Sequence, residues 1–114
     1  RRGPAPVTPA VIDHELADGD VLPFGDGLQV IHAPGHCLGQ VALLWPQHGG
    51  VLVAADTAGH MLGRLGYPVI FEDRAVGDAT LRKLGALPFN VAVFGHGSPI
   101  TQNAAAQFRK KWPA

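Results

Sequence analysis

The chain has 114 residues, enough for one folded domain. Nine Lys and Arg residues balance nine Asp and Glu, and the resulting net charge of +0 argues against a general nucleic-acid binder and against a polybasic membrane anchor. Apolar residues make up 46% of the chain and charged residues only 16%, which excludes an intrinsically disordered protein. The 15 Gly and 10 Pro residues favour short strands and many turns over a helix bundle.

A single cysteine, Cys37, excludes an internal disulfide and a zinc site built from several cysteines. The sequence contains no run of 18 apolar residues, so it predicts no transmembrane helix. Arg1-Arg2 is followed by Gly-Pro-Ala-Pro rather than by an apolar stretch, which argues against a signal peptide. We therefore expect the cytoplasm as the default location of the protein.

Residues 1–17 are predicted to form a proline-rich tail or linker, and residues 18–114 the folded part. Pro4, Pro6 and Pro9 lie in this first stretch, and each proline fixes its own φ angle and removes a backbone donor. A regular helix or strand is therefore not expected to begin there.

Two β-hairpins are predicted after the tail. The first joins Asp20–Phe24 to Leu28–Ala33 through a turn at Asp26-Gly27, because Asp-Gly between apolar runs tolerates the positive φ angles of a tight turn. The second joins Gln40–Trp45 to Val51–Ala55 through Gly49-Gly50. Because the strands of the second hairpin are nearly continuous apolar runs, we expect both of their faces to be covered.

The second half of the chain is predicted to mix loops, helices and one strand. Residues 57–74 are rich in glycine and are interpreted as irregular, with a short strand at Pro68–Phe71. A helix over 78–87 is expected, with Asp78 as its N-cap, and Val91–Phe94 is interpreted as a short buried strand.

A last helix is expected over 102–111, with Thr101 as its N-cap. The strands should form one mixed sheet, with the two helices covering one face. The predicted class is therefore α/β.

Three potential metal ligands directly follow predicted strands. His36 lies in a Gly-rich turn, Asp56 ends the strand at 51–55, and His96 lies in Gly95-His96-Gly97. Loops at one edge of a sheet commonly gather ligands, and two imidazoles with a carboxylate are suitable ligands for zinc or a similar divalent ion. The separations of 20 and 40 residues match no local motif, and on spacing alone a turn residue that makes one hydrogen bond is the simpler interpretation of each histidine.

Three stretches of the chain, taken together, resemble the second half of the metallo-β-lactamase superfamily. Residues 18–44 contain a hairpin, a Pro-Gly-His turn, a glycine and a strand, as that family does. Residues 51–57 resemble the family's strand that ends in a metal-bridging Asp, and residues 81–99 resemble its late helix, strand and Gly-His-Gly-x-Pro turn. The resemblance covers about residue 18 to the end and implies half of an αββα sandwich.

The resemblance also implies a set of metal ligands. His36 would bind the first metal, Asp56 would bridge two metals, and His96 would bind the second. His60, four residues after Asp56, is an additional candidate ligand or substrate contact, although an exposed loop histidine is the simpler interpretation. The implied cofactor is zinc, as one or two divalent ions, and the implied activity is metal-dependent hydrolysis.

The chain departs from the family pattern in several places. The sequence has no His-x-His-x-Asp-His run, which supplies the family's other ligands, and Asp13-His14 is interpreted as an incidental surface pair. Ala55 stands where the family usually has Gly before the bridging Asp. Cys37 stands where a small hydroxyl residue often follows the turn histidine; we interpret it as a small buried residue rather than a substitute ligand or a redox-sensitive thiol.

Three interpretations of function remain open at this point. The chain is the C-terminal half of a zinc-dependent hydrolase that is not competent without the missing N-terminal half, or a non-catalytic module that associates with itself, or a simple metal-binding protein. From the three strand ends and the resemblance we expect His36, Asp56 and His96 to converge within about 12 Å at one sheet edge, whether or not a metal is bound. A half sandwich also predicts a homodimer, unless the tail with Val7 and Val11 folds back over the open sheet face.

Overall fold

A five-stranded mixed sheet with two helices on one face forms the core of the chain. The structure is a computed structural model that describes residues 6–68 and 70–114. In chain order its elements are β1 (Val21–Leu22), β2 (Leu28–His32), β3 (Val41–Trp45), β4 (Val51–Ala55), β5 (Gly59–Met61), β6 (Arg64–Gly66), α1 (Arg74–Gly85), β7 (Val91–Phe94) and α2 (Ala104–Lys111). The α/β class and the mixed sheet that joins the two hairpins to the strand Val91–Phe94 are confirmed.

The strand order of the large sheet is β1-β2-β3-β4-β7. The first four strands are antiparallel neighbours, as the two predicted hairpins require, and β7 pairs parallel to β4. The first hairpin is shorter than predicted, because β1 contains only Val21 and Leu22. Since β4 and β7 run in the same direction, their C-terminal ends meet at one edge of the sheet.

The two faces of the sheet have different surroundings. On one face, side chains such as Leu44, Leu52 and Ala92 are buried in a cluster with Leu81 of α1 and Phe108 of α2. The opposite face, here called the open face, carries Leu43, Trp45, Val51, Val53, Val91 and Val93, all of them only partly buried. The expectation that both faces of β3 and β4 are covered is therefore wrong for this chain, because both helices pack on the same side.

Helix α1 begins four residues earlier than predicted. Its N-cap is Asp73, whose carboxylate accepts a 3.1 Å hydrogen bond from the Val76 backbone N–H. Asp78, the predicted cap, lies inside the helix and accepts a 2.7 Å hydrogen bond from the Tyr67 hydroxyl. The early start places the N-terminus of α1 beside the turn that carries His36.

Helix α2 begins two residues later than predicted. Thr101 is not its cap; the cap position is Asn103, which has a left-handed backbone with φ 55°. The Asn103 backbone N–H donates instead to the side chain of Asn90 at 2.8 Å. This bond ties the start of α2 to the loop before β7.

The region 57–74 is more regular than predicted. It contains a second, two-stranded sheet, in which β5 and β6 form a tight hairpin with positive φ angles at Leu62 and Gly63. The short strand predicted at Pro68–Phe71 is wrong for the described residues of that stretch, which lie in neither a strand nor a helix; Val69 lies outside the described residues. Leucine rarely adopts a positive φ angle, so this turn has only a weak signal in the sequence.

The described part of the tail, residues 6–17, forms no helix or strand. Val7, Val11 and Ile12 are 89%, 88% and 72% exposed, so they do not cover the open face. In the ranges 6–68 and 70–114, neither helix has the length and apolar character needed to cross a bilayer.

Candidate functional site

His36, Asp56 and His96 lie together at one edge of the sheet. The Asp56 carboxylate is between the two imidazoles: its Oδ1 is 2.9 Å from His96 Nδ1, and its Oδ2 is 3.8 Å from His36 Nε2. Asp56 follows β4, and His96 follows β7 after one glycine, so the parallel pairing of these strands accounts for their proximity. The predicted convergence of the three side chains is therefore confirmed.

A strained residue turns the chain toward the site after β4. Ala55 has a φ angle of 51°, in the left-handed region, and the register of β4 against β7 shifts between Val53 and Ala55. The next turn is closed by Thr57, whose hydroxyl and backbone N–H both donate to the Ala54 carbonyl. A glycine would adopt this positive φ angle without the Cβ penalty that Ala55 carries.

Gly95 provides the space for the Asp56 carboxylate. A Cβ atom at residue 95 would overlap Asp56 Oδ1. The Gly95 backbone N–H also donates to the Ala55 carbonyl at 2.9 Å, which joins the loop after β7 to the end of β4. The absence of a side chain at Gly95 is therefore part of what orients Asp56.

The His36 ring is held by a backbone carbonyl. Its Nδ1 donates a 2.7 Å hydrogen bond to the Ile70 carbonyl oxygen, which fixes the neutral ring in the tautomer with an unprotonated Nε2. Nε2 is the nitrogen that faces Asp56, at a separation too long for a hydrogen bond. A backbone carbonyl that orients a histidine in this way is typical of metal-binding histidines.

The turn before His36 is anchored to the start of α1. The Gly35 carbonyl accepts hydrogen bonds of 2.9 and 3.0 Å from the backbone N–H groups of Glu72 and Asp73. The Thr80 hydroxyl donates to the Pro34 carbonyl at 2.7 Å. These supporting residues are not found by sequence reasoning, because a backbone carbonyl leaves no signal in the amino-acid sequence.

The other residues that the sequence singled out are His60, Cys37 and the pair Asp13-His14. His60 is on β5, and its ring donates to the Ser98 carbonyl rather than to Asp56. Cys37 is half-buried and is not part of a disulfide. Asp13 and His14 are exposed residues of the tail.

The donor groups suit a divalent cation, but their arrangement is not that of a bound ion. In the described part of the chain, no group of three or more His, Cys, Asp or Glu side chains is arranged to hold a metal. His96 points its protonated Nδ1 at Asp56, so its Nε2, the nitrogen with the free lone pair, is on the other side of the ring. The His96 side chain is 70% exposed, which leaves the ring room to turn when that hydrogen bond breaks.

Several solved structures share this fold. A metallo-β-lactamase family protein from Thermus thermophilus is 28% identical with a TM-score of 0.65, over 84% of this chain and 32% of its own. TTHA1623, solved in a di-iron-bound form, is 29% identical with a TM-score of 0.66, over 92% of this chain and 50% of its own. The B3 metallo-β-lactamase BLEG-1 is 26% identical with a TM-score of 0.66, over 89% and 47%.

The match is partial on the side of the relatives. The chain spans between 32% and 50% of the lengths of these three proteins. Neither a protein-family profile nor a curated protein sequence matches the chain. The motifs quoted from the sequence and the shared fold nevertheless agree, and both make the chain similar to the C-terminal part of metallo-β-lactamase superfamily proteins.

Proposed function

We propose that the chain supplies His36, Asp56 and His96 as metal ligands of a metallo-β-lactamase-type hydrolytic site, and that by itself it is not a competent hydrolase. The observation that supports this proposal is the Asp56 carboxylate between two imidazoles at the sheet edge. Two neutral imidazoles and a carboxylate are ligands that zinc and iron both accept.

Two of the solved relatives support a metal as the ligand that we propose for this site. TTHA1623 was solved with two iron ions, and BLEG-1 is a B3 metallo-β-lactamase. Zinc is the ion that we propose for this chain, in one site or two. When bound, such an ion lowers the pKa of a coordinated water and polarises a carbonyl or phosphoryl group.

Each residue has a distinct part in this proposal. His36 presents an unprotonated Nε2 that the Ile70 carbonyl holds in orientation. Asp56 contributes the negative charge that a divalent cation needs. Because Gly95 has no side chain, the Asp56 carboxylate has room to lie in this position. His96 would present Nε2 after its exposed ring turns away from the hydrogen bond with Asp56.

Three ligands alone are too few for the two-metal site that the family resemblance implies. A catalytic zinc typically has three protein ligands and an open position, with supporting residues around them. The Asp56 and His96 side chains are 34% and 70% exposed, so bulk water reaches the site and weakens its electrostatic interactions. We therefore expect hydrolysis only when a complementary segment completes the ligand set and closes the cleft.

Metal binding is the direct test of this proposal. The 114-residue chain is expected to bind Zn²⁺ in a titration against a chromophoric chelator, and His36→Ala and His96→Ala should each weaken that binding at least about 10-fold. His48→Ala is the matched control, since His48 lies in the turn between β3 and β4 and packs against Trp45. Equal binding by all four proteins would refute the proposed site.

The absence of independent activity is tested separately. The zinc-loaded chain is expected to show no turnover of ester and phosphodiester substrates above that of the His96→Ala variant. Zinc-dependent turnover that His96→Ala abolishes would show that the chain is a competent hydrolase and would overturn this part of the proposal.

A second candidate function is self-association through the open face. Its central side chains, Leu43, Val53 and Val93, are apolar and only partly buried, and the described part of the tail does not cover them. The net charge of +0 gives two copies no overall repulsion. A second copy related by a two-fold axis would bury the same surface on both partners.

We expect the chain to sediment as a dimer at micromolar concentration. Val53→Asp, at the centre of the open face, should shift it to the monomer, because an unpaired carboxylate would be buried in the interface. Thr8→Asp, which adds the same charge to the exposed tail, should leave the dimer intact. A monomeric wild-type chain would refute this proposal without bearing on metal binding.

A further inference from the structure

His60 joins the β5–β6 hairpin to the loop that carries His96. Its backbone N–H donates to the His96 carbonyl at 3.3 Å, and its own carbonyl accepts from the Ser98 N–H at 3.0 Å. These two bonds form a short parallel bridge between His60 and Gly97. The His96 loop is thus held from both sides of Gly97 by one residue of β5.

The His60 ring adds a third connection to the same loop. Its Nδ1 donates a 2.8 Å hydrogen bond to the Ser98 carbonyl, and the Ser98 hydroxyl lies 3.3 Å from the same nitrogen. The ring centroid is 5.9 Å from that of Phe94, and Phe94 in turn stacks on buried Phe108 at 6.2 Å. The ring therefore connects the loop to the hydrophobic core.

Gly97 allows the backbones of the loop and β5 to approach this closely. Its φ angle is 92°, which other residues rarely adopt, and a Cβ atom there would overlap the His60 carbonyl. The contact between β5 and the loop is therefore specific to a glycine at this position.

We propose that His60 is a positioning residue for His96: through Nδ1 and its backbone it holds the backbone of the loop so that the His96 ring stays beside Asp56, within reach of an ion that Asp56 binds. The inference rests on the proposed function in one respect, since His96 is a metal ligand only under that proposal. His60 needs no contact with the metal for this role, because its ring bond is made to the Ser98 carbonyl. The role differs from that of a ligand, which would require the free lone pair of His60 Nε2.

Two substitutions at residue 60 separate these roles. His60→Ala removes both ring nitrogens, whereas His60→Asn retains a side-chain N–H close to the position of Nδ1 and removes Nε2. We expect His60→Ala to weaken Zn²⁺ binding about 10-fold, as the loss of a supporting residue typically does, and His60→Asn to restore most of the affinity. His48→Ala is again the control, and thermal unfolding verifies that each variant is folded.

A second measurement does not depend on metal. Two-bond ¹H–¹⁵N spectra of the metal-free chain report the tautomer of each histidine ring. The His96 ring should show a protonated Nδ1 in the wild type and in His60→Asn, and averaged tautomers in His60→Ala, as its bond to Asp56 loosens. Gly97→Ala, which separates the loop from β5, should have the same effect as His60→Ala or a larger one.

The two measurements distinguish the positioning role from a ligand role. Unchanged His96 ring signals in His60→Ala would overturn the positioning role. If His60→Asn weakens Zn²⁺ binding as much as His60→Ala does and its His96 signals are normal, His60 is a ligand, and the positioning role is also overturned. If His60→Ala alters the His96 ring signals but the wild-type chain binds no Zn²⁺, the positioning role is upheld and the proposed function is refuted.

Discussion

Asp56→Asn is expected to lower the affinity for Zn²⁺ at least about 100-fold while leaving the fold intact. Loss of a supporting residue alone typically costs about 10- to 100-fold, and this change removes the negative charge between the two imidazoles. Asparagine has nearly the same volume, and its Oδ1 still accepts the hydrogen bond from His96 Nδ1. A chelator-competition titration measures the affinity, and thermal unfolding verifies the fold.

The control for this prediction is Asp13→Asn, because Asp13 is an exposed residue of the tail. It removes the same charge from the chain without touching the site, so long-range electrostatics should change affinity little at about 0.15 M salt. Wild-type affinity in Asp56→Asn would show that Asp56 is not a ligand.

A double-mutant cycle shows whether Asp56 and His96 act on one ion. If they do, removing the second ligand after the first costs less than it does alone, so the combined variant loses less affinity than the sum of the single losses. Additive losses would indicate two independent sites. The 2.9 Å hydrogen bond between these side chains makes the first result the expected one.

The sheet was largely predictable because its signals are local. The strand Leu28–His32 lies next to an Asp-Gly turn, and Val51–Ala55 follows Gly49-Gly50, so glycine-containing turns delimit both. What the sequence does not distinguish is whether one or two faces of an apolar strand are covered. Val53 and Leu52 are equally apolar, yet only Leu52 faces the helices.

The start of α1 was misplaced for a physical reason. Gly77 interrupts the pattern of good helix formers, and by propensity a glycine suits a helix boundary better than a helix interior. Gly77 nevertheless lies inside the helix, where a Cβ atom would overlap the Phe71 ring. Tertiary packing therefore overrides the local propensity, and a sequence without structure does not reveal such a contact.

The three side chains of the candidate site were predictable, but the groups that support them were not. His36, Asp56 and His96 have side chains whose chemistry is visible in the sequence and whose order matches a known family. Their supports are the Ile70 carbonyl and the space left by Gly95, which exist only after folding. His60 is a candidate by its residue type, whereas its bond to the His96 loop depends on a hairpin that the sequence did not predict.

Gly35→Ala is expected to destabilise the chain by about 3 kcal/mol, from the combined cost of an overpacked contact and an unfavourable positive φ angle. Gly35 has a φ angle of 140°, and a Cβ atom there would lie 2.9 Å from the backbone nitrogen of Gly77 and overlap its Cα. Both neighbours are backbone atoms of α1, so no side chain can move aside to relieve the clash. The turn before His36 would have to separate from the start of the helix.

Gly39→Ala provides the matched control, because Gly39 is in the loop between β2 and β3 that also contains Gly35, and a Cβ atom there would meet no atom within 4 Å. Its effect on the free energy of unfolding should stay within about 0.5 kcal/mol. Urea denaturation compares the two variants, and the Gly35→Ala midpoint should fall while the slope stays unchanged.

The Gly35→Ala variant should also weaken Zn²⁺ binding, because the Gly35 carbonyl joins the His36 turn to Glu72 and Asp73. If both alanine variants were equally stable, the close packing of the His36 turn against α1 would be wrong, and with it the view that α1 holds His36 in place.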